Sequence, residues 1–242
     1  MATKVMITGK IPKNPVVIEG FPSKGFVSTI ATRYMIDELD MKVVGHVVSD
    51  KLKSIAIIHN SEPMYPVRIY AKDDMVLVFS EVIIPIKQIH EISTALSEWF
   101  SEIKPREVIL LAGISGKVTE KEHDILGLAT NKELRGKLRD IGVTSVEEGM
   151  LSGISSDLIL FCFDNKIPTI SLMAETEYTP DPMAAVSMLK VISKLLGLDI
   201  NTDRITKEGK EIEAVFKRAT DEMKRSKENQ AEMDDLSPPM YG

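Results

Sequence analysis

The 242-residue chain is poor in the residues that build dedicated chemistry. Its single cysteine, Cys162, excludes an intramolecular disulfide and a cysteine-based zinc site. That thiol stands inside Leu158-Ile159-Leu160-Phe161-Cys162-Phe163, where a free cysteine acts as a small hydrophobe. The histidines His46, His59, His90 and His123 are scattered, with none at the i,i+4 spacing of a metal-ligand pair. No apolar run approaches the roughly 20 residues that span a bilayer. The opening Met1-Ala2-Thr3-Lys4-Val5 lacks the apolar segment of a secretion signal, so the chain reads as cytoplasmic. Positive charge is not in excess either. With 30 Lys and Arg against 36 Asp and Glu, the net charge is −6 and the pI near 5.4. That balance argues against nucleic acid or an anionic membrane as the main partner.

What is present is the pattern of an ordinary globular protein, 43% hydrophobic and 27% charged. Short β-rich runs alternate with helical stretches. Val16-Val17-Ile18-Glu19 reads as a strand, followed across Gly20-Phe21-Pro22-Ser23-Lys24-Gly25 by a helix over residues 26–39. Lys42–Val48 is a second strand. Val67–Ala71 and Met75–Phe79 form a hairpin around Lys72-Asp73-Asp74. Helical spacing of Ile89, Ile92, Leu96, Trp99 and Phe100 predicts a helix over 86–103, and Glu107–Gly113 follows as a central buried strand. A helix opening at Gly149, a strand over 168–174 and a helix over 181–196 capped by Gly197 complete the core. Alternation of this kind predicts a three-layer α/β/α sandwich over residues 1–201, with the hairpin making its sheet mixed.

Two small-residue loops stand at strand ends, where open α/β sheets take ligands: Gly20–Gly25 and Gly113-Ile114-Ser115-Gly116. The first matches neither a Walker A nor a dinucleotide fingerprint. Ser23 is instead a candidate helix cap. The second departs from the nucleophile elbow, because Ile114 precedes Ser115 and Gly116 follows directly. Glu175, Glu177 and Asp181 follow a strand end, where a carboxylate can do acid–base work. Thr179-Pro180-Asp181-Pro182 is equally an ordinary helix start, the reading favoured here. No catalytic constellation, cofactor site or metal site is assigned. An enzyme of the nucleoside phosphorylase or hydrolase kind, working at the two loops, is kept as the rival function.

Beyond residue 202 the composition changes. Ile212, Val215, Phe216, Ala219 and Met223 recur at helical spacing among Lys, Arg and Glu, which predicts an amphipathic helix over 202–230 whose stripe covers either the domain's own surface or another subunit, the latter being the oligomerisation reading. Residues 231–242 are acidic and polar, then proline-stiffened, and cannot bury enough apolar surface to offset ordering entropy. They form a flexible tail ending in Met240-Tyr241-Gly242. An aromatic anchor beside a terminal carboxylate suits insertion into a partner's pocket.

Glu19-Gly20-Phe21-Pro22 ahead of a helix with Ile30-Ala31, the strand ending Leu111-Ala112-Gly113, Thr179-Pro180-Asp181-Pro182, and the terminal Met240-Tyr241-Gly242 occur in this order. Together they resemble the archaeal homologues of the proteasome-assembling chaperone family. The resemblance implies a fold similar to nucleoside phosphorylases, a homo-oligomer, and ATP-independent assembly or activation of the proteasome core particle. It also implies that the tail is a hydrophobic–tyrosine–any-residue motif entering pockets between α-subunits. Met240 would then line the pocket wall, Tyr241 would anchor, and the Gly242 carboxylate would meet a pocket lysine.

Overall fold

The structure, a computed structural model, describes residues 3–50, 52, 55–116, 123–177 and 179–207. Its strands are β1 (Lys4–Ile7), β2 (Val16–Gly20), β3 (Lys42–Val48), β4 (Ile57–His59), β5 (Glu62–Met64), β6 (Val67–Lys72), β7 (Met75–Ser80), β8 (Glu107–Ser115), β9 (Ile125–Ala129), β10 (Thr144–Ser145) and β11 (Thr169–Thr176). Its helices are α1 (Val27–Glu38), α2 (Ile86–Ile103), α3 (Lys132–Asp140), α4 (Ile154–Asp164) and α5 (Pro182–Leu196).

Nine strands form one sheet in the order β1-β3-β6-β7-β2-β8-β11-β9-β10, and β4 and β5 pair as a separate hairpin. The central β7, β2, β8 and β11 run parallel, whereas β1–β3, β3–β6, β6–β7 and β11–β9 are antiparallel. The sheet is therefore mixed, as the hairpin between β6 and β7 requires. Residues of the central strands are apolar on both faces, which fits strands covered on both sides. Val16, Ile18, Ile109 and Leu111 point into a layer built by α1, α3 and α5. Their neighbours Val17, Val108 and Leu110 point into the opposite layer, built by α2 and α4. This is the expected three-layer α/β/α sandwich.

Local chemistry sets the helix ends. Asp181 accepts the Ala184 N–H at 3.0 Å and Pro182 opens α5, while Gly197 at φ 66° closes it. Asn131 caps α3 by accepting the Leu134 N–H at 2.8 Å. Two features differ from expectation. Helix α4 begins at Ile154, not at Gly149, whose neighbour Met150 is 98% exposed. Strands β1, β9 and β10 and helix α3 were not anticipated. α3 presents only Leu134 and Leu138 to the core, too few apolar positions to declare a period. Residues 203–207 are helical, inside the stretch expected to be helix, and Ile205 is fully buried against the α1 and α5 layer. Tyr34 donates to the Asn201 carbonyl at 2.7 Å, and the Arg204 guanidinium lies 5.1 Å over the Tyr34 ring. Residues 201–205 are thus pinned to α1.

Candidate functional site

Met240, Tyr241 and Gly242 lie outside the described residues, as do Ile212, Val215, Phe216, Ala219 and Met223. The two small-residue loops and Asp181 come together at the C-terminal ends of β2, β8 and β11.

There the two small-residue loops meet. A Cβ on Gly20 would overlap the Thr32 side chain of α1, and one on Gly113 would overlap the Lys24 carbonyl oxygen. Backbone therefore passes directly over the end of β8. Gly113 donates its N–H to Ser23 Oγ at 2.8 Å. Ser23 Oγ lies 2.7 Å from Ser28 Oγ, and the Ser28 hydroxyl donates to the Phe21 carbonyl at 2.5 Å, so Ser23 is left to donate to Ser28. Asp181 donates its N–H to the Gly25 carbonyl at 2.9 Å, tying the loop to the start of α5. Ser23 makes no side-chain cap bond to the following helical turn. Its expected role as a cap is corrected to a cross-brace between the two loops. At the end of β8 the Lys24 backbone and the Ser23 hydroxyl thus stand close over Gly113, in the region where such sheets take ligands.

Next to these loops sits Glu19, fully buried among the apolar residues of β2. One carboxyl oxygen accepts the Phe21 N–H at 2.8 Å and the other accepts the Ser155 hydroxyl of α4 at 2.9 Å. Burial raises its pKa to about 7, and the bonds from Phe21, Ser155 and the Leu111 backbone pull in the opposite direction without overcoming it. Glu19 thus fastens the first turn of α4 to the end of β2. Its signal in the sequence was a lone acid closing the apolar Val16-Val17-Ile18.

His123 and Asp181 form a second buried cluster. His123 Nδ1 lies 2.8 Å from the Glu175 carbonyl and Nε2 3.5 Å from Asp181 Oδ1. Asp181 Oδ2 accepts the Thr176 hydroxyl at 2.5 Å. With one oxygen on the Ala184 N–H as well, Asp181 acts as the cap that the sequence favoured. Ser115 is exposed at the end of β8, while His123 is engaged by the Glu175 carbonyl and Asp181.

A third cluster surrounds Arg68, which is 1% exposed between the rings of Tyr70 and Phe79, at 5.8 and 5.5 Å. Its Nη2 lies 2.7 Å from Glu81 Oε2, an ion-pair distance without hydrogen-bond alignment. Glu81 also accepts from His59 at 2.9 Å, joining the β4–β5 hairpin to the sheet. Cys162 is fully buried, and burial pushes its thiol up to about 11, so it is unreactive packing. Among the described residues no group of three or more His, Cys, Asp or Glu could hold a metal ion. No described helix is long and apolar enough to cross a membrane.

A sequence model of the PAC2 family matches residues 17–220, from β2 to beyond the last described residue. The chain belongs to the PAC2 family. The uncharacterized protein MJ0106 of Methanocaldococcus jannaschii is 32% identical over 206 residues, covering 85% of each chain. Among solved structures, Pyrococcus furiosus PbaA, an archaeal homologue of proteasome-assembly chaperone, superposes with a TM-score of 0.85 at 26% identity. That likeness covers 92% of this chain and 99% of PbaA. PbaB of the same organism, an archaeal proteasome activator, shares the fold with a TM-score of 0.75 at 23% identity, covering 90% of this chain and 99% of PbaB. The PAC2 match includes Ile212, Val215, Phe216 and Ala219 of the apolar stripe but stops short of Met223 and of Met240-Tyr241-Gly242.

Proposed function

We propose that this PAC2 protein is an ATP-independent assembly chaperone or activator of the proteasome core particle, acting in the cytoplasm as a homo-oligomer. The observation that carries this reading is its likeness to PbaA over nearly the whole of both chains. The terminal Met240-Tyr241-Gly242 gives the reading a contact. Met240 packs against the wall of a pocket between α-subunits, Tyr241 anchors by ring and hydroxyl, and the Gly242 carboxylate pairs with a cationic side chain. A charge-assisted contact in a partly dry pocket is stronger than a neutral hydrogen bond. A single short peptide binds weakly, so several tails on one body gain through effective concentration. The close cover over the end of β8 supports a binding role over small-molecule turnover.

The test is a pull-down and binding titration against core particle, with Tyr241→Ala and with residues 240–242 deleted. Truncating a buried aromatic anchor costs about 2 kcal/mol or more, so binding is expected to weaken roughly thirtyfold. Unchanged binding by both variants would falsify the tail contact.

A further inference from the structure

Four elements bring charged side chains to one point on the α1 side of the sheet. Arg68 of β6 stands opposite Phe79 of β7, and its guanidinium lies between the Tyr70 and Phe79 rings of that layer. Arg33 comes from α1, His59 from β4, and Glu81 directly follows β7. The Glu81 carboxylate is where they meet. His59 Nε2 lies 2.9 and 3.1 Å from its two oxygens, Arg33 Nη1 3.5 Å from Oε1, and Arg68 Nη2 2.7 Å from Oε2.

Arg68 is the group this arrangement fails to satisfy. Its side chain is 2% exposed, and among the described residues none of Nε, Nη1 and Nη2 has an aligned acceptor. A guanidinium is always charged and carries five donors in a rigid fork, so burying it with those donors unmade is costly. An oxyanion with more acceptors than a carboxylate removes that deficit. A phosphate group offers several oxygens, and the fork takes two in parallel, using Nη2 together with Nη1 or Nε. Charge agrees. With Glu81 turned outward, two guanidiniums and one imidazole face the space it leaves, against the Asp37 carboxylate that holds Arg33 Nε at 3.1 Å.

The cluster also has a way in. Arg33 and His59 are 34% and 31% exposed and Glu81 17%, so it grades from water down to the buried Arg68. Glu81 belongs to no helix or strand, while its N–H is fixed to the Pro66 carbonyl at 3.2 Å. We propose that Arg68, Arg33 and His59 bind a small phosphate-type oxyanion, free or as a monoester, and that the Glu81 carboxylate is its internal stand-in, displaced by side-chain rotation when the anion enters. This site is separate from the C-terminal motif and from the loops at β8, and it does not rest on the proposed function.

The test is isothermal titration of the full chain with sodium phosphate, against sodium chloride at matched ionic strength. Glu81→Ala removes the competing carboxylate and is expected to bind phosphate about tenfold tighter than wild type. Glu81→Gln is the milder replacement should it fail to fold. In the same background Arg33→Gln, at a part-exposed position, is expected to lose about tenfold of that affinity. Phosphate should also raise the melting temperature of the Glu81 variant more than that of wild type, because the ligand stabilises the folded state it binds. A second titration with glycerol phosphate separates the sources: equal affinity supports a monoester ligand, and binding of inorganic phosphate alone supports the free ion. Phosphate binding no tighter in either Glu81 variant than in wild type, or left unchanged by Arg33→Gln, overturns the site and leaves the cluster a structural ion pair.

Discussion

At the residue scale, Glu19 is a buried acid whose ionisation opposes folding. Its folded pKa of about 7 lies above the unfolded value of 4.5, so the folded state keeps a proton that the unfolded state releases between those values. The stability it contributes is complete below about pH 4.5 and is lost as pH rises through about 7. Glu19→Gln retains an acceptor for Phe21 and cannot ionise. It is expected to match wild type at pH 4.5 and to exceed it at pH 8 by on the order of 3 kcal/mol, read from urea unfolding at the two pH values. Equal stability at pH 8 would show that the carboxylate is solvated there. Asp181 is the common acceptor for the Ala184 N–H and the Thr176 hydroxyl. Asp181→Ala removes a cap and orphans buried donors, an expected loss of about 2–3 kcal/mol. Asp181→Asn should recover part of it, and a thermal melt of both variants distinguishes cap from cluster.

At the scale of elements, the junction of β8 with the loop after β2 is held by backbone proximity. Gly113 has no room for a side chain because the Lys24 carbonyl lies over it, and its N–H is used by Ser23. Gly113→Ala is expected to destabilise by about 2–3 kcal/mol through overpacking. Ser23→Ala should cost about 1 kcal/mol, since it removes one acceptor at a partly exposed site. If Gly113→Ala proves neutral in chemical denaturation, the loop has room to lift away from β8. Helix α4 belongs to this scale as well. Glu19 and Ser155 fix its first turn, while Leu160 and Phe163 face outward.

At the scale of the whole molecule, the described residues run to Lys207, with Asn201 and Arg204 held against α1. If self-association multiplies weak tails, a monomeric variant with an intact tail should bind core particle at least a hundredfold more weakly. Surface plasmon resonance against immobilised core particle measures this. Undiminished affinity of the monomer would show that one tail suffices.

Much of the fold was legible because period-two apolar runs and period-3.6 stripes identify strands and helices wherever enough apolar residues repeat. The hairpin of β6 and β7, helix α2 with its buried Trp99 and Phe100, and the Asp181 and Gly197 ends of α5 all carried that local signal. Helix α3, with two apolar contacts, and the short β1 and β10 did not. The sequence by itself determined the alternating sandwich and the absence of a disulfide framework, since each is written in residue types along the chain. Only tertiary structure decided that Ser23 braces Gly113, that Glu19 is buried against Ser155, and that α4 turns Leu160 and Phe163 to solvent. Those facts depend on partners up to 136 positions apart, and burial is a property of what the rest of the chain leaves uncovered.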